Sequence, residues 1–412
     1  MNPTRRSFLK TTVAGGALVS WGSTVPAFLS RTAAASPSAG QPGAKDTILV
    51  VIQLSGGNDG LNTVIPYADA DYAKLRPTLK QQKSAIKKLD DHVGLHPSMD
   101  ALAGLLQDRA LCVVQGVGYP NPSQSHFRSM DIWQAAATDE TLTEGWIGKA
   151  LKSLSAPAFH LADKKESSPL ALTGSPVRVP SLTSLEDFQL RTSAASGRDK
   201  AEQRSLIETV SQPGVGQAGL LDFVKRTAVN TYESSRRLQE IGKNYQPKVP
   251  YPNTGLANRL KLAAQLIDAG LGARIFYVAI DGFDTHANQQ ANHGNLLKEV
   301  SDAMTAFYRD LAARGHKDRL LLMTFSEFGR RAQENGSRGT DHGSAAPMLL
   351  VGGKVKPGVV GAHPSLTKLE MGNLKHHTDF RQVYAAVLER WLGVSSAPVV
   401  GGGFTPLDVF RA

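Results

Sequence analysis

Short apolar runs at 47–54, 110–116, 168–173, 273–280, 319–325 and 347–352 are separated by segments with helical periodicity. Met99 to Gln107, Leu256 to Leu271 and Leu296 to Ala313 are the clearest of these. A strand that is apolar throughout must be covered on both faces, and the helices between strands supply that cover. The alternation therefore predicts an α/β fold with a mostly parallel central sheet and helices on both faces. With 412 residues, 41% of them hydrophobic and 20% charged, the chain can bury one large core or two modest ones. From about 164 to 253 the pattern gives way to Ser, Pro, Gly and charged residues, which reads as an insertion or cap on a single domain spanning 46–412.

The N-terminus has a separate logic. Arg5 and Arg6 precede Phe-Leu-Lys, an uncharged run follows from Thr11 to Ser30, and Ala33-Ala34-Ala35 offers a small-residue cleavage site. This is the layout of a twin-arginine signal peptide over 1–35, followed by a linker at 36–45. It predicts export by the twin-arginine translocation machinery to the periplasm or beyond. The competing reading is a membrane anchor, but Gly15, Gly16, Gly22 and Pro26 interrupt a short, weakly apolar segment, so no stable span is expected after cleavage. Cleavage removes four basic residues and no acids, leaving 42 basic against 36 acidic residues, or +6. That mild excess, without a basic block, fits an anionic small molecule or an envelope polymer and not nucleic acid. The one cysteine, Cys112, lies in an apolar run and reads as core.

In open parallel sheets, ligands bind at the carboxyl ends of the strands. Four polar stretches fall there. Ser55-Gly-Gly-Asn-Asp-Gly follows the first run and offers Asn58 and Asp59. Asn121-Pro-Ser-Gln124 has the layout of a helix start, with Ser125, His126 and Arg128 in the first turns. Asp281-Gly-Phe-Asp-Thr-His286 follows the fourth run and supplies Asp284 and His286. Ser326-Glu-Phe-Gly-Arg330 follows the fifth, supplying Glu327 and Arg330, and is trailed by Asp341-His342-Gly343. Asp and His are ligand types for Zn²⁺, Mn²⁺ or Ca²⁺, so one or two divalent ions are expected. Each motif also has an ordinary reading: Asp59 as a turn residue, the histidines as solvated loop residues, Ser125 as a helical serine. His293 fits a ligand or a helix residue equally. Ser125 reads as a nucleophile because a helix N-terminus and a metal both favour its alkoxide, with Arg128 or Arg330 balancing charge on the transferred group. The G-x-S-x-G elbow and the P-loop and dinucleotide fingerprints are absent.

The blocks "LSGGNDGLNTVIP", "SQSHFRSMDIWQ", "DGFDTHANQ", "TFSEFGRRAQENGSRGTDHG" and "TDFRQVYAAVLERWLG" resemble the signature blocks of the family called domain of unknown function 1501. The resemblance runs from Asp46 to Gly393. It implies an exported protein with a fold similar to the alkaline phosphatase and sulfatase superfamily. Within that pattern it implies Asp59, with Asn58 as alternate, as the ligand after the first strand, and Ser125 as nucleophile. It further implies Asp284 and His286, then Asp341 and His342, as later ligands. The Asp-His-Gly block stands about 14 residues later than the superfamily places it, so Glu327 is an alternative ligand. The sulfatase signature around Arg128 is missing. The expectation is an exported metal-dependent hydrolase or transferase of phosphate or sulfate esters. The alternative is a non-catalytic periplasmic or envelope-associated binding protein that retains the fold.

If Arg5 and Arg6 carry the export signal, replacing both with Lys should hold the precursor in the cytoplasm, as read by cell fractionation. Undiminished periplasmic delivery of that double variant would contradict the assignment.

Overall fold

The structure is a computed structural model that describes residues 46–411, except 140, 155, 164, 165, 186–241 and 243. The signal peptide, the linker and most of the 164–253 segment thus lie outside the described residues. The chain divides into two units. The larger comprises 41–183, 246–264 and 273–412 and carries the sheet. The smaller comprises 1–40, 184–245 and 265–272, most of it outside the described residues.

In chain order the strands are β1 (Ile48–Leu54), β2 (Val64–Ile65), β3 (Lys87–Lys88), β4 (Gly94–Leu95), β5 (Leu111–Gly118), β6 (Ala158–Leu161), β7 (Ser181–Leu182), β8 (Ile275–Ile280), β9 (Leu320–Phe325), β10 (Ala346–Gly352), β11 (Gly358–Val360) and β12 (Thr378–Asp379). The main helices are α1 (Asp100–Gln107), α2 (His126–Ala135), α3 (Trp146–Leu154), α4 (Gly255–Asp268), α5 (Gln289–Ala313) and α6 (Phe380–Ala386). The main sheet has the order β11-β5-β10-β9-β1-β8-β6-β7, with β12 also paired to β5. Strand β1 lies at its centre, parallel to β8 and β9, and β8 is parallel to β6. Only β10 runs against the rest, between β9 and β5. The fold class is therefore α/β with a mostly parallel central sheet, as the alternation predicts. A small sheet, β2-β4-β3, is separate.

Every residue of β1, β5, β8 and β9 is buried, which is why these strands read as continuous apolar runs. On one face Leu49, Val51, Val114, Tyr277 and Met323 pack with Trp133, Trp146, Tyr384 and Trp391. Trp133 is stacked on Phe380 at 4.3 Å and on Phe325 at 5.8 Å, joining α2 to the sheet and to α6. Cys112 lies in this core, and burial pushes its thiol up to about 12, as suits an inert packing residue.

Two elements differ from expectation. The run at 168–173 is not a strand: Leu170–Leu172 form a 3₁₀ turn whose Ala171 N–H donates to Gln134 on α2. Pro169 directly before it has no N–H for a ladder. The helix read as starting at Asn121 starts at His126 instead. Asn121 has a positive φ, and the Ser123 N–H donates to the Tyr119 hydroxyl, so this stretch is a loop. Among the described residues no helix is long and apolar enough to cross a membrane.

Trp133→Ala should destabilise the protein by about 3–5 kcal/mol, because a fully buried indole stacked on two rings leaves a cavity that the sheet cannot close. Urea unfolding followed by far-UV circular dichroism reads the loss.

Candidate metal centre

The carboxyl ends of β1, β8 and β9 lie side by side, and each is followed by a loop that folds back over the sheet edge. Gly56 and Gly57 have φ of +116° and +73°, and a Cβ on either would stand 2.3 Å from the Asp284 backbone N or 2.4 Å from the Phe328 ring. Only glycine lets the loop after β1 lie that close to its neighbours. The Ser326 hydroxyl donates to the Leu54 carbonyl and accepts from the Asn58 N–H, which ties the ends of β1 and β9 together. Beyond β9 the chain doubles back, with a bridge between Arg330 and His342. That hairpin carries His342 to the loop after β8, and the start of α2 brings His126 from the β5 side.

Around the Asp284 carboxylate the side chains converge. Arg330 Nη2 donates to Asp284 Oδ1 at 2.6 Å, with His286 Nε2 at 3.0 Å and His342 Nε2 at 3.3 Å from the same oxygen. The Nε2 atoms of His286 and His342 are 2.9 Å apart. His126 Nε2 lies 3.5 Å from Asp284 Oδ2 and is a buried atom with no hydrogen-bond partner. The other nitrogen of two of the rings is already engaged: His126 Nδ1 with Glu327 Oε1 at 2.8 Å and His342 Nδ1 with the Gln124 carbonyl at 2.8 Å. His286 Nδ1 faces Asp341 Oδ1 at 3.6 Å. A carbonyl oxygen can only accept, so His342 must carry its proton on Nδ1, and its Nε2 then presents a lone pair when the ring is neutral. Glu327 and Asp341 favour the same tautomer for the other two rings. Arg330 Nη1 lies 3.4 Å from His286 Nε2 and can donate to it, which leaves the lone pairs of His126 and His342 converging on a carboxylate, an arrangement that a cation would relieve.

The electrostatics agree. Burial opposes ionisation of Asp284, but the Arg330 guanidinium and the neighbouring imidazoles outweigh it and hold the carboxyl below its usual range. Burial lowers His342, keeping it neutral. The hydrogen bond from Asn335 lowers Asp341. An ionised carboxylate at Asp284 and a neutral imidazole at His342 are the protonation states a metal requires. His126, Asp284 and His342 form a group whose ligand atoms lie within 4.8 Å of one another and can hold a metal ion, and His286 adjoins it.

Several expected residues have other duties. Asp59 is fully buried, and both of its oxygens are taken by Arg76, at 2.5 and 2.9 Å, with Gln289 donating as well. Burial opposes its charge, but the Arg76 pair prevails and the carboxyl falls to about 2. It is therefore one half of an internal ion pair and not an anion-site ligand. Asn58 accepts from His293 Nε2 at 2.9 Å and from Thr63, also inside the protein. His293 is thus a helix residue of α5, and burial lowers it to about 4. Glu327 supports His126 and accepts the Gly56 N–H at 2.8 Å instead of completing the convergent set. Arg128 donates to the carbonyls of Thr138 and Asp139, so it braces the turn after α2. Arg330 is buried and donates to the carbonyls of Gly57, Gly56, Phe283 and Thr340 as well as to Asp284. Neither arginine is free to meet a transferred group. Ser125 is exposed, caps α2 without a side-chain hydrogen bond, and lies between Gln124 and His126, both bonded to the cluster.

The sequence reading missed Arg76, Gln289, Thr340 and the Gln124 carbonyl. Thr340 donates to Gln289 at 2.6 Å, so a buried chain runs Arg76–Asp59–Gln289–Thr340–Arg330–Asp284. Nothing in "LRP" or "NQQ" announces it, because its members come from five separate segments.

Fold and site together define an α/β protein with a three-histidine, one-aspartate centre at the carboxyl edge of its sheet. The chain belongs to the family described as protein of unknown function DUF1501, which it matches over residues 46–395. No curated protein matches it. Among solved structures it is similar to the lipoteichoic acid synthase LtaP from Listeria monocytogenes, at TM-score 0.41 and 9% identity, covering 89% of this chain and 77% of that one. It is also similar to the PsFucS1 sulfatase from Pseudoalteromonas sp., at TM-score 0.39 and 13% identity, covering 94% and 77%. For the alkaline phosphatase from the Antarctic bacterium TAB5 the TM-score is 0.34 at 11% identity, covering 74% and 92%.

His293 is neutral when buried and titrates near 6.5 when unfolded. The unfolded chain therefore binds the proton more readily, and stability is lost as pH falls from about 6.5 toward 4. The loss from this residue should be on the order of 3 kcal/mol, read by urea midpoints across that range, and His293→Gln should flatten the slope.

Proposed function

We propose that this protein is an exported metal-dependent hydrolase or transferase acting on phosphate or sulfate esters. The observation that carries the reading is the convergence of three imidazole Nε2 atoms on the Asp284 carboxylate. Three nitrogens and one oxygen favour Zn²⁺ or another late first-row ion over Ca²⁺, which takes oxygen ligands. Asp284, His126, His286 and His342 would hold it, with Glu327, Asp341 and the Gln124 carbonyl fixing the rings. A divalent ion in that place supplies Lewis acidity for an ester oxygen and lowers the pKa of a coordinated hydroxyl.

The chain's own groups fit around that chemistry. Three carboxylates, Asp284, Glu327 and Asp341, surround the cluster, with Arg330 on Asp284 and Arg331 acting on Asp341, so a bound cation would make the site more attractive to an anionic ester. Ser125 offers the nucleophile: its hydroxyl is exposed, uncommitted to capping, and attached to the residue before His126. The first turn of α2 adds free amides on the same side. Arg330 keeps Asp284 ionised and oriented.

A second reading rests on Asp59. Its capture by Arg76 takes a carboxylate out of the pool of possible ligands, which fits one ion and not two, and also fits a binding protein that keeps a single metal for structure.

Metal analysis and ester turnover separate the two. The purified mature protein should bind one Zn²⁺ or Mn²⁺ and hydrolyse p-nitrophenyl phosphate or p-nitrophenyl sulfate. His126→Ala or His342→Ala should abolish metal retention, and the roughly 2.7 kcal/mol of stabilisation at a hundredfold excess of metal over its Kd should vanish with it. Ser125→Ala should keep the metal and lose at least about 10³-fold in kcat. Metal retention without turnover of any ester favours the binding protein, and no metal at all removes both readings.

A further inference from the structure

The sheet order ends at β7, and its last strands carry polar side chains that the metal centre does not use. Tyr277 on β8, His160 on β6 and Ser181 on β7 are register partners, so their side chains form one row on a single face. The His160 side chain is fully buried and packs edge-on against the Tyr277 ring at 6.1 Å, while Ser181 is exposed. His160 Nδ1 lies 2.9 Å from the Ser181 hydroxyl. Its Nε2 is a buried atom with no hydrogen-bond partner among the described residues and stands 3.5 Å from Glu166 Oε1. Glu166 reaches back from the loop after β6, fixed by the Asp163 N–H at 3.0 Å and the Arg259 guanidinium at 3.6 Å.

These contacts set the direction of each proton. Burial opposes the charge of Glu166, but the neighbouring imidazole, the Asp163 N–H and Arg259 outweigh it and hold the carboxyl below its usual range. An ionised carboxylate only accepts, so His160 carries its proton on Nε2, facing Glu166, and Nδ1 keeps its lone pair. The Ser181 hydroxyl donates to that lone pair. Hydroxyl to imidazole to carboxylate is the order that activates a serine, here with the two ring nitrogens exchanged relative to the commoner arrangement. A separation of 3.5 Å at Nε2 is compatible with that role, since such contacts tighten when substrate binds. The backbone adds a donor. Pro180 and Leu182 turn their carbonyls to β6, where the His160 and Ala162 N–H groups bond them, so the Ser181 N–H points away from β6. That amide is left to the oxygen of a ligand seated at the serine.

We infer that Ser181, His160 and Glu166 form a second reactive site, a serine nucleophile with its base and an orienting carboxylate, that hydrolyses a carboxylic ester. Ser181 Oγ bonds the acyl carbon as its proton passes to His160 Nδ1, the ester C–O bond breaks, and the departing alkoxide takes that proton and leaves as the alcohol. Water then adds to the acyl carbon, giving a proton to Nδ1. The bond from that carbon to Oγ breaks, and Oγ recovers the proton as the acid departs. The inference is independent of the phosphate or sulfate ester reading above.

The test is covalent labelling of the full-length mature protein with a fluorophosphonate, in which Ser181 Oγ displaces fluoride from phosphorus, followed by peptide mass mapping. The label should fall on Ser181, within the tryptic peptide from Val179 to Arg191. Ser181→Ala should remove it and abolish hydrolysis of p-nitrophenyl acetate. Glu166→Gln should slow labelling at least about tenfold and His160→Gln at least about a hundredfold. Urea midpoints check that the variants fold, and if His160→Gln does not, Glu166→Gln carries the test alone. Labelling of Ser181 at an unchanged rate in the folded variants would mean that the contacts only hold β7 to β6, and would overturn the inference. Label on Ser125 with none on Ser181, no label at all, or acetate hydrolysis that survives Ser181→Ala would overturn it too.

Discussion

A single buried guanidinium holds the edge of this sheet together. Arg330 donates to the carbonyls of Gly56 and Gly57 after β1, of Phe283 after β8 and of Thr340 in the hairpin after β9, and it pairs with Asp284. Taking an arginine out of water costs several kcal/mol unless its donors are satisfied, and here each nitrogen has a partner. The same bonds satisfy loop carbonyls that have no ladder to join. Shortening the side chain would leave those carbonyls and the Asp284 carboxylate unpaired together, so the loops and the centre stand or fall as one unit.

The stiffness of that unit comes from behind. Arg76, Asp59, Gln289 and Thr340 are all fully buried and lead by hydrogen bonds to Arg330. Buried polar networks of this kind cost desolvation and return a defined geometry. In front, each imidazole is turned by an acceptor on its Nδ1 side, which aims the Nε2 lone pairs inward. A metal bound as proposed would need its ligands held before it arrives, and the two layers would divide that task.

The legible part of this molecule is the part governed by local pattern. Strands buried on both faces read as apolar runs, so β1, β5, β8 and β9 appear in the sequence with nearly their observed limits, and the polar loops after them follow from the sheet rule. The 3₁₀ turn at Leu170–Leu172 looks like a strand in the sequence because an apolar run of that length fits either, and β6 and β7 are too short to show a period. Within the site, residue type and position after a predicted strand make Asp284, His286 and His342 ligand candidates, and the structure brings them together with His126. Type does not separate a convergent residue from a supporting one. Asp59 and Glu327 carry the same chemistry as Asp284, and what separates them is a partner, Arg76 for one and His126 for the other. Those partners are 17 and 201 residues away, so no local signal records them.

If His126, Asp284, His286 and His342 share one cation as proposed, crystals of the mature protein grown with Zn²⁺ and measured at the zinc absorption edge should reveal it. One anomalous peak is expected, about 2.0–2.2 Å from the three Nε2 atoms and an Asp284 oxygen. A zinc-soaked crystal with no peak there, or with its peak at Asp59 in place of Arg76, would contradict it.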